Sequence, residues 1–219
     1  ISQNNNSLKF DLNYYGDFFP ITLKFSGYFN VYNILGVVGC LSSKGFEIKK
    51  IIDSLKSIKA VPGRSEYIRS GDSFPSVMID YAHTGEALEN ILKSVKNNAF
   101  KKLLLVFGAG GGRDKGKRKA MAKIAERLAD QCIITTDNPR HEKPIDIIKS
   151  ISRHFNKKPI EIIDRKEAIY KAIELANNDD LVIVAGKGNE EFQEIGNQKN
   201  YFSDREVIEN FLKERKSKN

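Results

Sequence analysis

From residue 76 to residue 185, short β-branched apolar runs alternate with longer amphipathic segments. The runs have the length of buried strands, and the segments between them carry apolar residues at helical spacing. This alternation is typical of a parallel sheet with helices on both faces, so the sequence predicts a doubly wound α/β domain. The predicted strands are 77–80, 103–108, 132–136, 160–163 and 181–185, and the predicted helices are 85–96, 117–129, 145–155 and 166–177.

The first part of the chain has a different pattern. Residues 8–26 alternate apolar and polar side chains, which predicts two strands of a hairpin, and helices are predicted for 31–43 and 48–57. Val61-Pro62-Gly63-Arg64 then interrupts the pattern, because Pro and Gly end regular elements. We therefore expect one domain over 1–60 and a second over 61–219.

Composition excludes several classes of protein. With 40% hydrophobic and 29% charged residues among 219, a folded core is expected. Cys40 and Cys132 lie in apolar surroundings without a CxxC pair or a nearby pair of histidines, which argues against a disulfide framework and a zinc site and predicts buried thiols in a reducing cytoplasm. Apolar runs are too short to span a membrane, and residues 1–7 are polar, unlike a signal peptide.

The net charge of +8 comes from scattered lysines, a pattern that fits anionic small substrates as well as nucleic acid. Residues 213–218 are interpreted as a solvated basic tail.

Polar or glycine-rich residues follow each predicted strand, where ligands bind in open α/β sheets. In Asp137-Asn138-Pro139-Arg140 the arginine is placed to grip a carboxylate, although a buried structural arginine is the alternative. In Gly186-Lys187-Gly188-Asn189-Glu190 the glutamate can bind an ammonium group, although an exposed glutamate in a glycine turn is the alternative. Together, Arg140 and Glu190 would suit an amino acid.

Asp80-Tyr81-Ala82-His83-Thr84 ends the first of these strands. The Asp80 carboxylate can accept a hydrogen bond from a hydroxyl group or hold a metal-bound water, and His83 is nearby in the sequence. The alternative is that Thr84 caps the next helix and His83 is a surface residue.

The glycine-rich segment 108–118 ends the second of these strands and opens a helix, a place that favours anions. Gly111 to Lys117 has the GxxxxGK spacing, but Arg118 stands where Ser or Thr would bind magnesium, so a working phosphate loop is not predicted. Its glycines and cations still predict contact with phosphate or carboxylate.

Taken together in chain order, these segments resemble the motifs of the Mur ligases, and most closely those of the MurE type. The segments are Tyr28-Phe29-Asn30-Val31-Tyr32-Asn33, Val61-Pro62-Gly63-Arg64, Asp80-Tyr81-Ala82-His83-Thr84, Gly111-Gly112-Arg113-Asp114-Lys115-Gly116-Lys117-Arg118, Asp137-Asn138-Pro139-Arg140, Gly186-Lys187-Gly188-Asn189-Glu190 and Ser203-Asp204-Arg205. The resemblance extends over nearly the whole chain from about residue 20.

The resemblance implies an ATP-dependent amide ligase of peptidoglycan synthesis, which adds the third peptide residue to UDP-N-acetylmuramoyl-L-alanyl-D-glutamate through an acyl phosphate. ATP and Mg²⁺ are the implied cofactors, and a diamino acid is the implied second substrate. Residues 1–60 would end the central ATP-binding domain, and 61–219 would form the Rossmann-like C-terminal domain. The ATP phosphate loop and the magnesium ligands would precede Ile1, so the 219 residues are expected not to catalyse ligation alone.

The family's site residues carry over by position. Asn33, Arg64 and Asp80 correspond to nucleotide-binding residues, His83 is a weaker nucleotide contact, and Lys115 corresponds to a lysine required for activity. The predicted amino-acid pocket comprises Arg113, Asp137, Asn138, Arg140, Gly186 and Glu190. No metal ligand is assigned.

In this family an arginine at the position of Arg140 marks enzymes for meso-diaminopimelate, whose second carboxylate it pairs with; lysine and ornithine are the alternatives. Asn189 stands where the family usually has His, which predicts a small difference at the edge of the pocket. Gly85 stands where the family usually has Pro, which predicts a small difference at the start of the helix.

We expect a cytoplasmic monomer that binds neither nucleic acid nor a membrane. A non-catalytic module that binds a nucleotide or nucleic acid through its basic loops is the alternative from another class. A dinucleotide-dependent oxidoreductase is disfavoured, because no GxGxxG with a later ribose-binding acid follows any predicted strand.

Overall fold

A computed structural model describes residues 1–4, 7–25, 27–68, 74–96 and 100–217. The chain divides into two compact units, Ile1–Val61 and Pro62–Asn219. None of the described helices is both long and apolar enough to cross a membrane.

The first unit is a small antiparallel sheet with two helices. Its strands are β1 (Ser2–Asn4), β2 (Ser7–Tyr14) and β3 (Asp17–Leu23), and its helices are α1 (Phe29–Ser43) and α2 (Ile48–Leu55). Alternate residues of the hairpin, such as Leu8, Phe10 and Leu12, point into the core that the two helices cover. The predicted hairpin is confirmed; residue 26, at its predicted end, lies outside the described residues.

The second unit contains a six-stranded sheet in the order β4-β5-β9-β6-β7-β8. Its strands are β4 (Glu66–Ile68), β5 (Ser76–Asp80), β6 (Leu103–Phe107), β7 (Gln131–Ile134), β8 (Ile160–Glu161) and β9 (Leu181–Ala185). All neighbours pair in parallel except β4, an antiparallel edge strand. The strand β9 lies between β5 and β6, so the loops after these three strands are adjacent.

Helices cover both faces of this sheet. They are α3 (Gly85–Lys96), α4 (Gly116–Leu128), α5 (Pro144–Ser152), α6 (Arg165–Leu175) and α7 (Asp204–Lys216). Apolar residues of α6 and α7 share one core with alternate strand residues such as Val77, Val106 and Val184. The intervening strand residues are also buried and belong to the opposite face, where α4 packs between α3 and α5. The predicted α/β class is confirmed.

Sequence patterns missed short strands and one helix. A hairpin, β10 (Phe192–Ile195) with β11 (Gln198–Tyr201), follows the last parallel strand, and the short strands β1 and β4 were also not predicted. The predicted solvated tail is exposed at residues 213–215 and 217, but the segment is not irregular, because α7 continues to Lys216. The buried residues of this helix, Ile208, Phe211 and Leu212, precede the segment. Residue 218 lies outside the described residues.

The two cysteines differ. Cys132 is buried in β7, and burial raises the pKa of its thiol to about 12. Cys40 is exposed on α1, so the prediction that both thiols are buried is wrong for this one. Residues Val31, Ile34 and Val38 form the buried face of α1, and Cys40 lies off that face.

A buried ion pair ties the two helices of one face to the ends of two strands. The Arg165 guanidinium on α6 donates to both carboxylate oxygens of Asp204 on α7, each at 2.8 Å, and both side chains are fully buried. It also donates to the carbonyls of Thr136 at 3.3 Å and Ala185 at 3.0 Å. Because these carbonyls directly precede Asp137 and Gly186, the ion pair holds in place the first residues of the two loops that follow β7 and β9.

Candidate functional site

Loops at the carboxyl ends of β5, β6, β7 and β9 enclose a cleft of about 330 Å³. The lining includes one predicted nucleotide contact and all six predicted amino-acid contacts: His83, Arg113, Asp137, Asn138, Arg140, Gly186 and Glu190. The lining also includes Tyr81, Asp114 and Lys117. Crossovers between parallel strands bring these loops to one end of the sheet, which is where this architecture places ligands.

The glycine loop after β6 packs directly on the loop that carries Arg140. The amide of Gly111 donates to the Asn138 carbonyl at 2.9 Å. A Cβ at Gly111 would lie 1.9 Å from the Pro139 carbonyl oxygen, so only glycine permits this approach. Gly111, one of the glycines predicted to contact an anion, therefore has a packing role against the neighbouring loop.

Arg140 is held in a fixed orientation. Its backbone has φ 50°, a left-handed conformation that few residues other than glycine adopt. Its guanidinium donates from Nη1 to the Gly111 carbonyl at 3.0 Å, and its Nε lies 2.9 Å from a carboxylate oxygen of Glu194 on β10. The side chain is 28% exposed, so it is partly accessible from the cleft.

A buried lysine organises the carboxylate predicted to bind an ammonium group. The Lys187 ammonium, fully buried, donates to Glu190 Oε2 at 3.0 Å and to Asn138 Oδ1 at 3.2 Å. Asn138 Nδ2 also donates to Glu190 Oε2, at 2.9 Å. Lys187 was not assigned a role from sequence, although its place between two glycines in a strand-end motif was a usable signal.

Asp137 and Gly186, which both line the cleft, lie close together. Gly186 has φ 114°, and a Cβ there would lie 2.6 Å from Asp137 Oδ2. The side chain of Asp137 also accepts from the Asn138 amide at 2.7 Å. Glycine at 186 thus leaves the space that the Asp137 carboxylate occupies beside the cleft.

Arg118 takes no part in the cleft lining and instead supports the glycine loop. It is almost fully buried and donates to both carboxylate oxygens of Glu142, at 2.9 and 3.0 Å. Glu142 in turn accepts from the Gly112 amide at 2.7 Å. This amide and the Arg118 guanidinium hold the pKa of Glu142 below its ordinary value. The residue that departs from the GxxxxGK[ST] pattern is therefore a structural clamp.

Asp80 is buried with its carboxylate directed at backbone amides. Its oxygens accept from Ser65 at 2.7 Å and from Ala82 at 2.8 Å, and burial raises its pKa despite these bonds. The carboxylate thus anchors the turn that carries Arg64. The exposed Arg64 guanidinium lies over the Tyr81 ring, 4.3 Å from its centre.

His83 is exposed, and its Nδ1 lies 2.9 Å from the Tyr81 carbonyl oxygen. Thr84 Oγ1 accepts from the Ala87 amide at 3.2 Å, which is the helix-cap geometry considered from sequence.

The remaining predicted site residues are Asn33 and Lys115. Asn33 is on an exposed position of α1 in the first unit, where its side chain donates to Asn30 Oδ1 at 3.2 Å. Lys115 is exposed at the N-cap of α4 and is not among the cleft-lining residues. The N-terminus of α4 adds a partial positive charge at that position.

Within the described ranges, no group of three or more His, Cys, Asp or Glu side chains is arranged to hold a metal ion. The cations at the glycine loop, Arg113, Lys115 and Lys117, are the side chains there that suit the phosphates of a nucleotide.

The family model described as "Mur ligase, glutamate ligase domain" matches residues 63–188. The chain belongs to the Mur ligase family. It is 41% identical over 210 residues to UDP-N-acetylmuramoyl-L-alanyl-D-glutamate–2,6-diaminopimelate ligase 2 of Clostridium acetobutylicum, covering 94% of this chain and 43% of that protein. The ligase of the same name from Bacillus cereus is 43% identical over 188 residues, covering 85% of this chain and 38% of that protein.

Solved structures agree with this assignment. A structure of UDP-N-acetylmuramoyl-L-alanyl-D-glutamate–2,6-diaminopimelate ligase matches with a TM-score of 0.68 at 34% identity, covering 95% of this chain and 43% of that one. A pseudomurein peptide ligase type C from Methanothermus fervidus shares the fold, with a TM-score of 0.72 at 24% identity over 95% of this chain and 40% of that one. The resemblance to MurE-type Mur ligases is confirmed, and the chain spans about two fifths of the length of these relatives.

Proposed function

We propose that this chain is part of a cytoplasmic, monomeric, ATP-dependent Mur ligase that adds meso-diaminopimelate to UDP-N-acetylmuramoyl-L-alanyl-D-glutamate in peptidoglycan synthesis. The observation that carries the proposal is the cleft itself, which is lined by Arg113 and Arg140 together with the carboxylate of Glu190. Relatives of 41% and 43% identity carry the corresponding ligase name.

The charges of the cleft match a diamino dicarboxylic acid. Guanidinium groups bind carboxylates through paired hydrogen bonds, and a carboxylate binds an ammonium group. Among the described residues, no carboxylate lies within ion-pair distance of Arg113, so this cation is available to a ligand. Meso-diaminopimelate has two carboxylates for the two arginines, whereas lysine and ornithine have one.

In the proposed reaction the chain binds and orients the amino acid, whose amine attacks the carbonyl carbon of an acyl phosphate; the amide C–N bond forms as the C–O bond to phosphate breaks, and inorganic phosphate and a proton leave. ATP with Mg²⁺ would supply the phosphoryl group, held mainly by residues outside this chain. Lys115, at the positive end of α4, would stabilise phosphate charge, and Arg64, Asp80, His83 and Asn33 would contribute to nucleotide binding. We assign 1–60 to the end of the central ATP-binding domain and 61–219 to the amino-acid-binding domain.

Calorimetric titration of the chain with meso-diaminopimelate, lysine and ornithine tests the proposal. We expect diaminopimelate to bind most tightly and Arg140→Ala to weaken it by about tenfold or more, since a hydrogen bond to a charged group contributes about 1.5–3 kcal/mol. Arg127→Ala removes the same charge from an exposed residue of α4 outside the cleft and should leave binding unchanged. Equal affinities for the three amino acids, or no binding, would contradict the proposal.

A ligase for lysine or ornithine is the second candidate. The pairing of Arg140 with Glu194 favours it, because the glutamate neutralises part of the charge that a second carboxylate would meet. Tighter binding of lysine or ornithine than of diaminopimelate in the same titration would establish this alternative.

A further inference from the structure

Strand β10 is bonded to the loop that carries Arg140. The Arg140 amide donates to the Glu194 carbonyl at 2.9 Å, and the Gly196 amide donates to the Arg140 carbonyl at 2.7 Å. The Glu194 amide donates to Asn138 Oδ1 at 3.0 Å, and the side-chain amide of Gln193 donates to the Asp137 carbonyl at 3.1 Å. The hairpin is therefore fixed to residues 137–140 by bonds that do not involve the Glu194 side chain.

The Glu194 side chain adds a direct ion pair with Arg140. Its carboxylate lies 2.9 Å from Arg140 Nε, and the two side chains are 26% and 28% exposed. The ammonium of Lys199 on β11 lies 3.9 Å from the other carboxylate oxygen but is 63% exposed, so water screens its charge more strongly. Glu194 thus places a negative charge beside the arginine predicted to bind a substrate carboxylate.

We propose that Glu194 is a specificity-determining residue of the amino-acid pocket. Its carboxylate orients the Arg140 guanidinium and, by its charge, limits the preference of the pocket for a ligand with a second carboxylate. The inference rests on the proposed function, because it concerns the same pocket and the same class of substrate.

The charge and the hydrogen bond of Glu194 have separable effects. Glutamine keeps an oxygen that accepts from Arg140 Nε and removes the charge, so the arginine stays oriented while its positive charge is no longer partly neutralised. Alanine removes both, so the guanidinium loses its partner at Nε and keeps only the bond from Nη1 to the Gly111 carbonyl, which holds it less firmly. A glutamate that only held the hairpin would change stability in both variants without changing selectivity.

The experiment measures the ratio of dissociation constants for lysine and meso-diaminopimelate on the 219-residue chain by calorimetry. We expect Glu194→Gln to raise the preference for diaminopimelate by about three- to tenfold, the effect of one nearby charge at partial exposure. Glu194→Ala should show a lower preference than Glu194→Gln. Thermal unfolding followed by circular dichroism confirms that each variant is folded.

Two further variants make the result specific. Glu191→Gln removes an exposed charge one residue before β10, outside the cleft lining, and should leave the ratio unchanged. In the Arg140→Ala background, Glu194→Gln should have no effect on the ratio, because the charge acts through Arg140.

An unchanged or lower ratio in Glu194→Gln, or the same rise in the Arg140→Ala background, would overturn this inference while leaving the proposed function intact. A wild-type chain that does not prefer diaminopimelate, or an Arg140→Ala chain that keeps the preference, would overturn the proposed function and this inference with it.

Discussion

At the scale of single residues, buried charges hold the loops of the cleft in place. Arg118 clamps Glu142, which also binds the Gly112 amide, so one carboxylate connects the glycine loop with the segment after Arg140. The Lys187 ammonium donates to both Asn138 and Glu190, so it connects the loop after β7 with the loop after β9. Buried charges require partners, and here the partners lie on the loops that form the cleft.

Glu142→Gln tests the first clamp through its pH dependence. The pKa of Glu142 is lowered from 4.5, first by the Gly112 amide, so its contribution to stability is present above about pH 4.5 and is lost as the pH falls through the folded-state pKa. We expect the unfolding free energy of the variant to be about 1 kcal/mol lower than that of the wild-type chain at neutral pH. At a pH below the folded-state pKa of Glu142, the two unfolding free energies should be equal. Urea unfolding followed by circular dichroism between about pH 3 and pH 7 measures this difference.

Glu86→Gln, an exposed substitution in the first turn of α3, controls for the loss of one negative charge. A deficit in Glu142→Gln that stays the same at acidic and neutral pH would show that Glu142 does not act as an ionised clamp.

At the scale of elements, two ion pairs between described residues of α6 and α7 lie in very different surroundings. Arg165 and Asp204 are fully buried, whereas Glu174 and Arg215 are 42% and 49% exposed. The buried pair also holds the carbonyls at the ends of two strands, so it connects helix packing with the loops of the cleft. Because only the first pair is buried, breaking it should lower the free energy of unfolding far more than breaking the exposed pair.

We expect Arg165→Met to cost about 3–5 kcal/mol, because it leaves the buried Asp204 carboxylate without its cation. Arg215→Met, which breaks the exposed pair between the same two helices, should cost less than about 1 kcal/mol. Urea unfolding of both variants gives the comparison. Similar costs for the two substitutions would contradict the argument from burial.

At the scale of the whole molecule, the two units have separate hydrophobic cores. The core of the first comprises the hairpin, α1 and α2, and a core in the second joins the parallel sheet to α6 and α7. The second unit, Pro62–Asn219, has the size of an ordinary domain, whereas the first has only about 60 residues and is expected to be less stable alone.

A chain consisting of residues 62–219 should therefore fold cooperatively without the first unit. We expect a single sigmoidal thermal transition by circular dichroism and an affinity for diaminopimelate within about threefold of that of the 219-residue chain. A broad transition without a defined midpoint would show that the second unit depends on residues 1–61 for its fold.

The sequence by itself determined the parallel strands and the helices between them, and the resemblance of its motifs to the Mur ligases indicated seven of the residues that line the cleft. Local periodicity specifies such elements, and the order of the strands brings the loops after them to one end of the sheet. The apolar spacing of Ile208, Phe211 and Leu212 was a usable signal for α7, but the surrounding charges concealed it.

Only the tertiary structure decided which charges are paired. Glu194 reaches Arg140 from 54 residues away, and Arg165 meets Asp204 across 39 residues. Lys187 joins Glu190 to Asn138, which lies 49 residues from it in sequence. The physical reason is that sequence spacing specifies local conformation, whereas an ion pair between distant residues depends on how the completed sheet, hairpin and helices pack.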